Sequence, residues 1–175
     1  RPSILVDAGD VFAPVPERYL SRQILQVYDT LGYDAVAVGE QEFASGIDFF
    51  YEMAEEYPSI ISHNIRVSYR DSSYRTDKQE KEQPVLLDRK GVRVWFASLL
   101  EPKAIETSKQ SVIESVSVEP VQDIIASFSE KGDVQVLLFH GGMEAAERLA
   151  ARFEWLDIII LGHEEEQILK ETEKG

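Results

Sequence analysis

The chain has 175 residues, 43% of them hydrophobic and 10% aromatic, which suits one globular domain with a real core rather than a disordered segment. Its 32 acidic residues outnumber its 18 basic ones, and no clustered Lys/Arg stripe is present, so a nucleic-acid partner is not expected, and the formal net charge of -14 is compatible with high solubility. Cysteine is absent, which excludes disulfides and a thiol nucleophile, and no apolar run approaches the roughly 20 residues of a membrane span.

Short apolar strands alternate with helical patterns, which predicts an α/β fold with mostly parallel sheets flanked by helices. The predicted strands are 3–6, 34–38, 59–62, 84–87, 92–99, 134–139 and 157–161. Apolar residues at three- and four-residue spacing predict helices between them, around 17–31, 47–57, 121–128 and 146–153. The apolar positions of the first helix are Leu20, Ile24, Val27, Tyr28 and Leu31, and Gly32 is placed to end it.

Two polar stretches interrupt this alternation. Residues 66–83 are rich in Ser, Arg, Asp, Lys, Glu and Gln, which predicts an exposed polar insertion, and residues 101–117 are predicted to be irregular. Residues 88–91 predict a hairpin-like turn between two strands. Because the chain begins almost directly in a strand and stops soon after the last one, we expect residues 1–175 to be a single domain from a longer protein.

Four predicted strands run into a residue that could hold a metal ion. Asp10, Glu40, His140 and His163 each follow such a strand, and each is next to a glycine. Ligands of open α/β sheets bind outside the carboxyl ends of the strands, so these side chains are expected to build one polar site. Glu165 follows His163 by two residues and would face the same way in an extended segment.

Each of these features also has an ordinary structural explanation. A Gly-Asp pair is often only a turn, and a strand-end histidine is often only a hydrogen-bonded structural residue. The run Glu164–Glu166 is typical of a solvated helix start. His63, at the end of the third strand, is better explained as a strand cap or a partner of a backbone carbonyl than as a ligand. The common position of the other residues at strand ends favours a metal site for Zn, Mn, Fe or a similar divalent ion, which could clamp a phosphate oxygen.

Six segments, in chain order, carry a family resemblance. Residues 5–12 (LVDAGDVF) resemble the second metal motif of the calcineurin-like metallophosphoesterases, and 34–43 (DAVAVGEQEF) resemble the Gly-Asn-His-Glu-Phe segment of their 5'-nucleotidase branch. Residues 62–65 resemble its Ala-Asn-hydrophobic strand end, and 90–94 resemble the strand pair that follows. Residues 139–142 resemble its Thr-His-Leu-Gly motif, and 157–165 its Asp-hydrophobic-Gly-His-x-His segment. The resemblance implies a layered sandwich of sheets and helices, incomplete at the N-terminus, that binds divalent metal and a phosphate or nucleotide ligand.

The resemblance assigns metal-ligand roles residue by residue. Asp10, His140 and His163 match family ligands, whereas Glu40 replaces an asparagine and Glu165 replaces the last histidine of the closing motif. The family's catalytic histidine corresponds to Gln41, and glutamine cannot deliver a proton at neutral pH. No residue is therefore assigned a catalytic role, and it stays open whether the chain retains its metal.

Two functions remain in competition. The preferred hypothesis is a non-catalytic binding or scaffold module with a degenerate active site, working with other domains or chains of a larger periplasmic or extracellular protein. The alternative is a divalent-metal-dependent phosphomonoester or nucleotide hydrolase that uses metal-activated water. The family's Asp-x-His motif is expected upstream of the first strand and is absent from these 175 residues. A nucleotide-cofactor fold is disfavoured, because the chain has neither a Gly-x-Gly-x-x-Gly motif after its first strand nor a Walker lysine.

Overall fold

A computed structural model of the chain describes residues 3–67, 84–107, 116–118, 124–125 and 132–163. The strands are β1 (Val6–Asp7), β2 (Ala35–Val36), β3 (Ile65–Val67), β4 (Val85–Arg89), β5 (Val92–Leu100), β6 (Val116–Val118), β7 (Val134–His140) and β8 (Ile158–Gly162). The helices are α1 (Arg18–Leu31), α2 (Ile47–Glu56), α3 (Pro102–Thr107) and α4 (Met143–Arg152), with a 3-10 helix at Gln41–Phe43. The predicted α/β class is confirmed.

Two parallel arrangements of strands dominate the architecture. In the smaller sheet, β1 pairs in parallel with β2, and a single parallel bridge joins Val36 to Ile60. The larger sheet has the strand order β4-β5-β7-β8, in which β5, β7 and β8 are parallel and β4 is antiparallel to β5. The turn between β4 and β5 consists of Lys90 and Gly91, both with positive φ, as a two-residue hairpin of this twist requires. A separate antiparallel pair joins β3 and β6.

Alternation of side chains along the strands divides the core into layers. Ala35 of β2 and Leu138 of β7 belong to the apolar cluster between the two sheets. Their neighbours Val36 and Leu137 point away from that cluster, the first into a cluster with α1 and α2 and the second into a cluster with α4. The order of layers is therefore helix, sheet, sheet, helix, as the predicted layered sandwich requires.

Helix α1 shows where the predicted pattern and the packing differ. Gly32 ends the helix in the left-handed conformation with φ 74, as predicted. The buried positions are Ser21 and Leu25, with Ile24 and Tyr28 partly buried against the same core. Three of the predicted apolar positions are instead exposed, namely Leu20, Val27 and Leu31. The buried face of α1 therefore includes the small Ser21, while bulky apolar residues on the neighbouring face are exposed.

Three segments differ from the sequence-based expectation, and in one of them the predicted strand 59–62 is reduced to a single bridge at Ile60. The sequence predicts irregular structure over residues 101–117, but α3 forms at Pro102–Thr107 and β6 at Val116–Val118. Proline at the first helical position is favourable, because its missing N–H would have no intrahelical partner. Strand β3 includes Arg66 and Val67, the first two residues of the predicted insertion. Strands of three residues are too short for a periodicity to be recognised.

Some predictions fall outside the described residues. This is the case for residues 68–83 of the predicted insertion, for Glu165 and for all but two residues of the helix predicted at 121–128. The two described residues of that helix, Ile124 and Ile125, are helical, and Ile125 is buried against the larger sheet. Within the described part of the chain, none of the helices has the length and apolar character that crossing a bilayer requires.

Candidate metal centre

Asp10 lies in a tight loop directly after β1. The loop is started by Asp7, whose Oδ1 accepts a hydrogen bond of 3.0 Å from the Gly9 N–H and whose Oδ2 accepts one of 2.9 Å from the Tyr28 hydroxyl. Gly9 has φ 101 and Asp10 has φ 64, so the chain turns sharply through two left-handed residues. This turn brings the Asp10 carboxylate towards the end of the neighbouring strand β2.

The turn after β2 is joined to Asp10 by hydrogen bonds from one residue. The backbone N–H of Gln41 donates to Asp10 Oδ1 at 3.0 Å, and the side-chain amide of Gln41 donates to Asp10 Oδ2 at 3.0 Å. Glu40 lies immediately before Gln41, and its carboxylate faces the two histidines. The side-chain amide of Gln41 therefore orients Asp10.

His140, at the end of β7, has both ring nitrogens next to oxygen atoms. Its Nδ1 lies 2.9 Å from the carbonyl oxygen of Ala8, which can only accept, so Nδ1 carries a proton. Its Nε2 then faces Glu40 Oε2 at 2.9 Å and Asp10 Oδ2 at 3.5 Å. A histidine that donates one N–H to a backbone carbonyl has its other nitrogen fixed in position, which is the usual arrangement of a metal-binding imidazole.

Three glycines from three different segments surround the His140 ring. A Cβ atom added at Gly9 or at Gly162 would lie 2.8 Å from Nδ1 of His140, and one added at Gly39 would lie 2.7 Å from its Cε1. Real Cβ atoms do not approach so closely, so these positions require glycine as long as the ring stays in place. The glycines next to the predicted ligands thus have a steric role.

His163 occupies a more open position one residue beyond β8. Gly162 pairs with His140 in the parallel ladder, and this register places His163 beside the buried ring. The two imidazoles meet edge to face with centroids 5.1 Å apart. Nδ1 of His163 lies 3.3 Å from Glu40 Oε1, and 36% of the side chain is exposed, compared with 0% for His140.

The backbone of the site is strained in a way that supports a functional role. Among the described residues, three non-glycine residues have positive φ, namely Asp10, Lys90 and His163. Lys90 lies in the hairpin turn that demands this conformation. The other two belong to the candidate site, where each costs of order 1 kcal/mol and is retained only if the surrounding structure fixes it.

The charges of the site depend on one another. Burial alone would lower the pKa of His140, but the hydrogen bond to Glu40 and the charge of Asp10 outweigh it, so the pKa is raised. Burial alone would raise the pKa of Glu40, but the hydrogen bond from His140 and the charges of both histidines lower it. Burial raises the pKa of Asp10, in spite of the opposing charge of His140. Without metal, both shifts favour a protonated His140 paired with an ionised Glu40.

The donor set fits a divalent cation. One ligand atom from each of Asp10, Glu40, His140 and His163 can be chosen so that all lie within 4.8 Å of one another. Opposed ligands on an ion with bonds of about 2.1 Å are about 4.2 Å apart, so small side-chain movements suffice. Two carboxylates and two imidazoles suit Zn, Mn or Fe, and a bound ion of this kind would polarise a phosphoryl oxygen.

The structure thus brings together four of the five predicted ligands, and Glu165 lies outside the described residues. His63 takes part in a different contact, because its Nδ1 lies 3.0–3.2 Å from the backbone of Ser98 in β5. Sequence reasoning missed two contributors, the Ala8 carbonyl and Glu42. A carbonyl leaves no signal in a sequence, whereas the signal of Glu42 is an acidic residue directly before the core residue Phe43.

No family model matches the chain. Among curated proteins, it is similar to the Trifunctional nucleotide phosphoesterase protein YfkN of Bacillus subtilis (strain 168), with 26% identity over 200 aligned positions. The alignment covers 93% of this chain but only 13% of that protein, so the chain spans a small part of its relative.

Solved structures share the fold. The chain matches a Staphylococcus aureus protein assigned as a 5'-nucleotidase with a TM-score of 0.74 and 20% identity, covering 97% of this chain and 38% of the other. It matches a 5'-nucleotidase precursor from Thermus thermophilus with a TM-score of 0.70 and 22% identity, covering 93% and 32% respectively. The chain therefore has the metallophosphoesterase fold in the form found in the 5'-nucleotidase branch.

Proposed function

We propose that this domain binds a divalent metal ion through Asp10, Glu40, His140 and His163, and through the ion a phosphate-bearing ligand of the nucleotide class, with little or no hydrolysis. Support for the metal comes from the convergence of the four ligand atoms within 4.8 Å. Support for the ligand class comes from relatives that are named as nucleotide phosphoesterases and 5'-nucleotidases. The domain would then act as a binding or scaffold module.

The observation that carries the weak-hydrolysis proposal is the contact of Gln41. At this position the resemblance implies a histidine that stabilises or protonates the leaving group. Here an amide donates to Asp10 at 3.0 Å, and it has no proton to give to a departing oxygen. Loss of a general acid typically costs about 10²–10⁴-fold in rate, so turnover is expected to be slow even with metal bound.

A competing function is metal-dependent hydrolysis of a phosphomonoester. The preformed ligand cluster favours it, because positioned ligands are the part of a metallohydrolase that the protein must supply. Glu40 differs from the asparagine implied by the resemblance and adds a negative charge, which disfavours an anionic substrate.

A binding and turnover experiment separates the two functions. Mn²⁺ binding is measured by calorimetry, and hydrolysis of an aryl phosphate and of AMP is then measured with saturating Mn²⁺. We expect Mn²⁺ to bind with one or more ions per chain and turnover to stay near background. The Asp10→Ala variant is the control and should lose Mn²⁺ binding. Turnover well above background that disappears in Asp10→Ala would establish the hydrolase instead, and absence of Mn²⁺ binding in the unmodified chain would refute the metal proposal.

We further propose that the domain works outside the cytoplasm as part of a larger assembly. The Thermus relative is named a precursor, and the chain spans 13% of the Bacillus relative and 38% of the Staphylococcus one, which supports both parts of the proposal. Fractionation of cells that express the natural gene, with detection by an antibody to this domain, tests the location. Recovery in the cytoplasmic fraction would refute it.

A further inference from the structure

Glu42 is a buried carboxylate that lies behind the candidate metal centre. It belongs to the 3-10 helix at Gln41–Phe43 and is 1% exposed. Four backbone N–H groups donate to it, from Gly39 at 2.6 Å, from Val11 at 2.7 Å, and from Asp10 and Phe12 at 3.1 Å each. No ion pair to Glu42 occurs in the described part of the chain. When Glu42 is ionised, its charge is thus stabilised by peptide groups alone.

The four donors belong to two separate segments. Three come from the loop after β1, residues 10–12, and one comes from the turn after β2, next to Glu40. Because neither segment is in a strand at these positions, the N–H groups have no ladder partners, and each would cost about 1–3 kcal/mol if it were buried without an acceptor. Glu42 supplies the acceptor for all of them and ties the two segments together.

The segments that Glu42 joins carry two of the four proposed ligands. The N–H of Asp10 itself donates to Glu42 Oε2, and the same oxygen accepts the N–H of Gly39, the residue before Glu40. The backbone atoms that determine where both carboxylates project are therefore attached to one oxygen atom. An outer group with this effect on ligands typically changes metal affinity about 10–100-fold when it is replaced.

We propose that Glu42 is a positioning residue that fixes Asp10 and Glu40 in ligand geometry before any metal binds. The inference about affinity rests on the proposed metal binding, whereas the inference about geometry concerns the metal-free chain and stands independently. Glu42 does not reach the ligand cluster, since its oxygens are occupied by the four N–H groups, so it acts through Asp10 and Glu40 and is not itself a ligand.

The first test uses the unmodified chain without metal. Hydrogen exchange followed by NMR should show the amides of residues 10–12 and 39 exchanging as slowly as those of the strands β5 and β7, although they lie in loops. Fast exchange at these four amides in the folded chain would overturn the proposal. This measurement requires neither metal binding nor a variant that folds.

The second test replaces the acceptor at constant shape. Each oxygen of Glu42 accepts two of the four N–H groups, and in Glu42→Gln one oxygen becomes an NH₂ group that cannot accept, so two of the four N–H groups lose their acceptor. For Glu42→Gln we expect faster hydrogen exchange at the released amides and an approximately 10–100-fold loss of Mn²⁺ affinity. Glu42→Asp should also lose Mn²⁺ affinity, because its shorter side chain cannot reach both segments. The control Glu144→Gln makes the same chemical change at a side chain that is 89% exposed and should leave both quantities unchanged.

A variant with a destabilised core elsewhere in the chain shows whether a loss of Mn²⁺ affinity reflects lost positioning or only lower stability. Leu149→Ala removes a buried side chain of α4 and lowers stability in a core cluster that contains neither residues 10–12 nor residue 39. If Leu149→Ala at equal stability loss reduced Mn²⁺ affinity as much as Glu42→Gln, the effect would be one of general stability and the proposal would be wrong. If the unmodified chain bound Mn²⁺ and Glu42→Gln bound it equally well, the positioning role would also be refuted. If the unmodified chain did not bind Mn²⁺, the proposed function would fail and the amide exchange would decide the geometry alone.

Discussion

The two sides of the candidate metal centre differ in how firmly they are held. On the side of the smaller sheet and β7, Gln41 donates hydrogen bonds to Asp10, and His140 bonds to the Ala8 carbonyl and to Glu40, so these three side chains are fixed in place. On the side of β8, His163 contacts Glu40 at 3.3 Å and is 36% exposed. The first side is thus fixed by contacts within the chain, whereas the second leaves the proposed ligand His163 more exposed.

This difference indicates that, in a metal site of this kind, some ligands can determine which ion is accepted while another determines how the ion enters. A fixed set of ligands determines which ion geometry is accepted, since the ligands cannot move apart at low cost. A more exposed ligand leaves a way in for the ion and for a phosphate group. If this is correct, the two sides should respond differently to the same chemical change.

The largest effect is expected for a change on the fixed side, Gly39→Ala. The added Cβ would overlap Oδ1 of Asp10 and would lie 2.7 Å from Cε1 and 2.8 Å from Nε2 of His140, so both the carboxylate and the ring must move. Overpacking of this kind costs about 3 kcal/mol, and Mn²⁺ affinity should fall with the displaced ring. Urea unfolding and calorimetry measure the two quantities.

A matched glycine shows whether the effect is steric. Gly32 has nothing within 4 Å of an added Cβ, and Gly32→Ala should cost only about 1 kcal/mol for its left-handed backbone and leave Mn²⁺ affinity unchanged. Equal behaviour of the two variants would contradict the steric role of Gly39.

The next effect compares the two histidines directly. His140→Ala and His163→Ala should each lower Mn²⁺ affinity by about 100-fold or more, since even an outer partner of a ligand is worth roughly 10–100-fold. Only His140→Ala should also lower the free energy of unfolding, by about 2 kcal/mol, because it leaves a cavity and the Ala8 carbonyl without its donor. His163→Ala should stay within about 0.5 kcal/mol, as exposed positions do. Comparable stability losses would show that the two sides are equally fixed.

The smallest effect is the pH dependence of the metal-free chain. The pKa of His140 is raised above its usual value of 6.5, so its contribution to stability is complete below about pH 6.5 and is lost as the pH rises through the folded value. Burial raises the pKa of Glu42 from 4.5 to about 7, so the folded state holds this proton more tightly than the unfolded state. The free energy of unfolding therefore also falls as the pH rises from about 4.5 to about 7. We expect the free energy of unfolding to decrease by roughly 1 kcal/mol from about pH 6 to about pH 8.5.

Metal should reverse that trend. Binding requires Nε2 of His140 without its proton, so Mn²⁺ affinity and the stability of the loaded chain should rise over the same pH interval. Thermal unfolding with and without Mn²⁺ at both pH values measures this. A metal-free chain that became more stable towards the alkaline end of that interval would contradict the ion pair between His140 and Glu40.

The sequence was sufficient for the α/β class and for the strand ends that carry the candidate ligands. Parallel strands are apolar throughout and short, and a polar residue beside glycine marks the point where each one ends, so Glu40 and His140 could be located without coordinates. The helix face of α1 could not be predicted in the same way. Leu20 and Leu25 are equally apolar, and only the shape of the sheet beneath decides which of them is buried.

The candidate site itself was predicted as a set of residues but not as a network. Residue types and spacing say nothing about which backbone amide a carboxylate will meet, so the match of Glu42 to the glutamate of the Gly-Asn-His-Glu-Phe segment did not reveal what Glu42 contacts. Its role depends on a contact across 30 to 32 residues of sequence with the loop after β1. Contacts of this range are determined by tertiary packing, which no local pattern reports.

The pairing between β7 and β8 fixes the number of residues between the start of β8 and His163. His140 is paired with Gly162, and successive residues of a strand point to opposite faces. Deletion of a single residue from β8 would therefore turn the His163 imidazole away from Glu40. Genomic copies of this domain that keep the ligands should therefore show no length variation between Asp157 and His163. A copy with a different number of residues between these two positions would need a fourth ligand from another part of the chain.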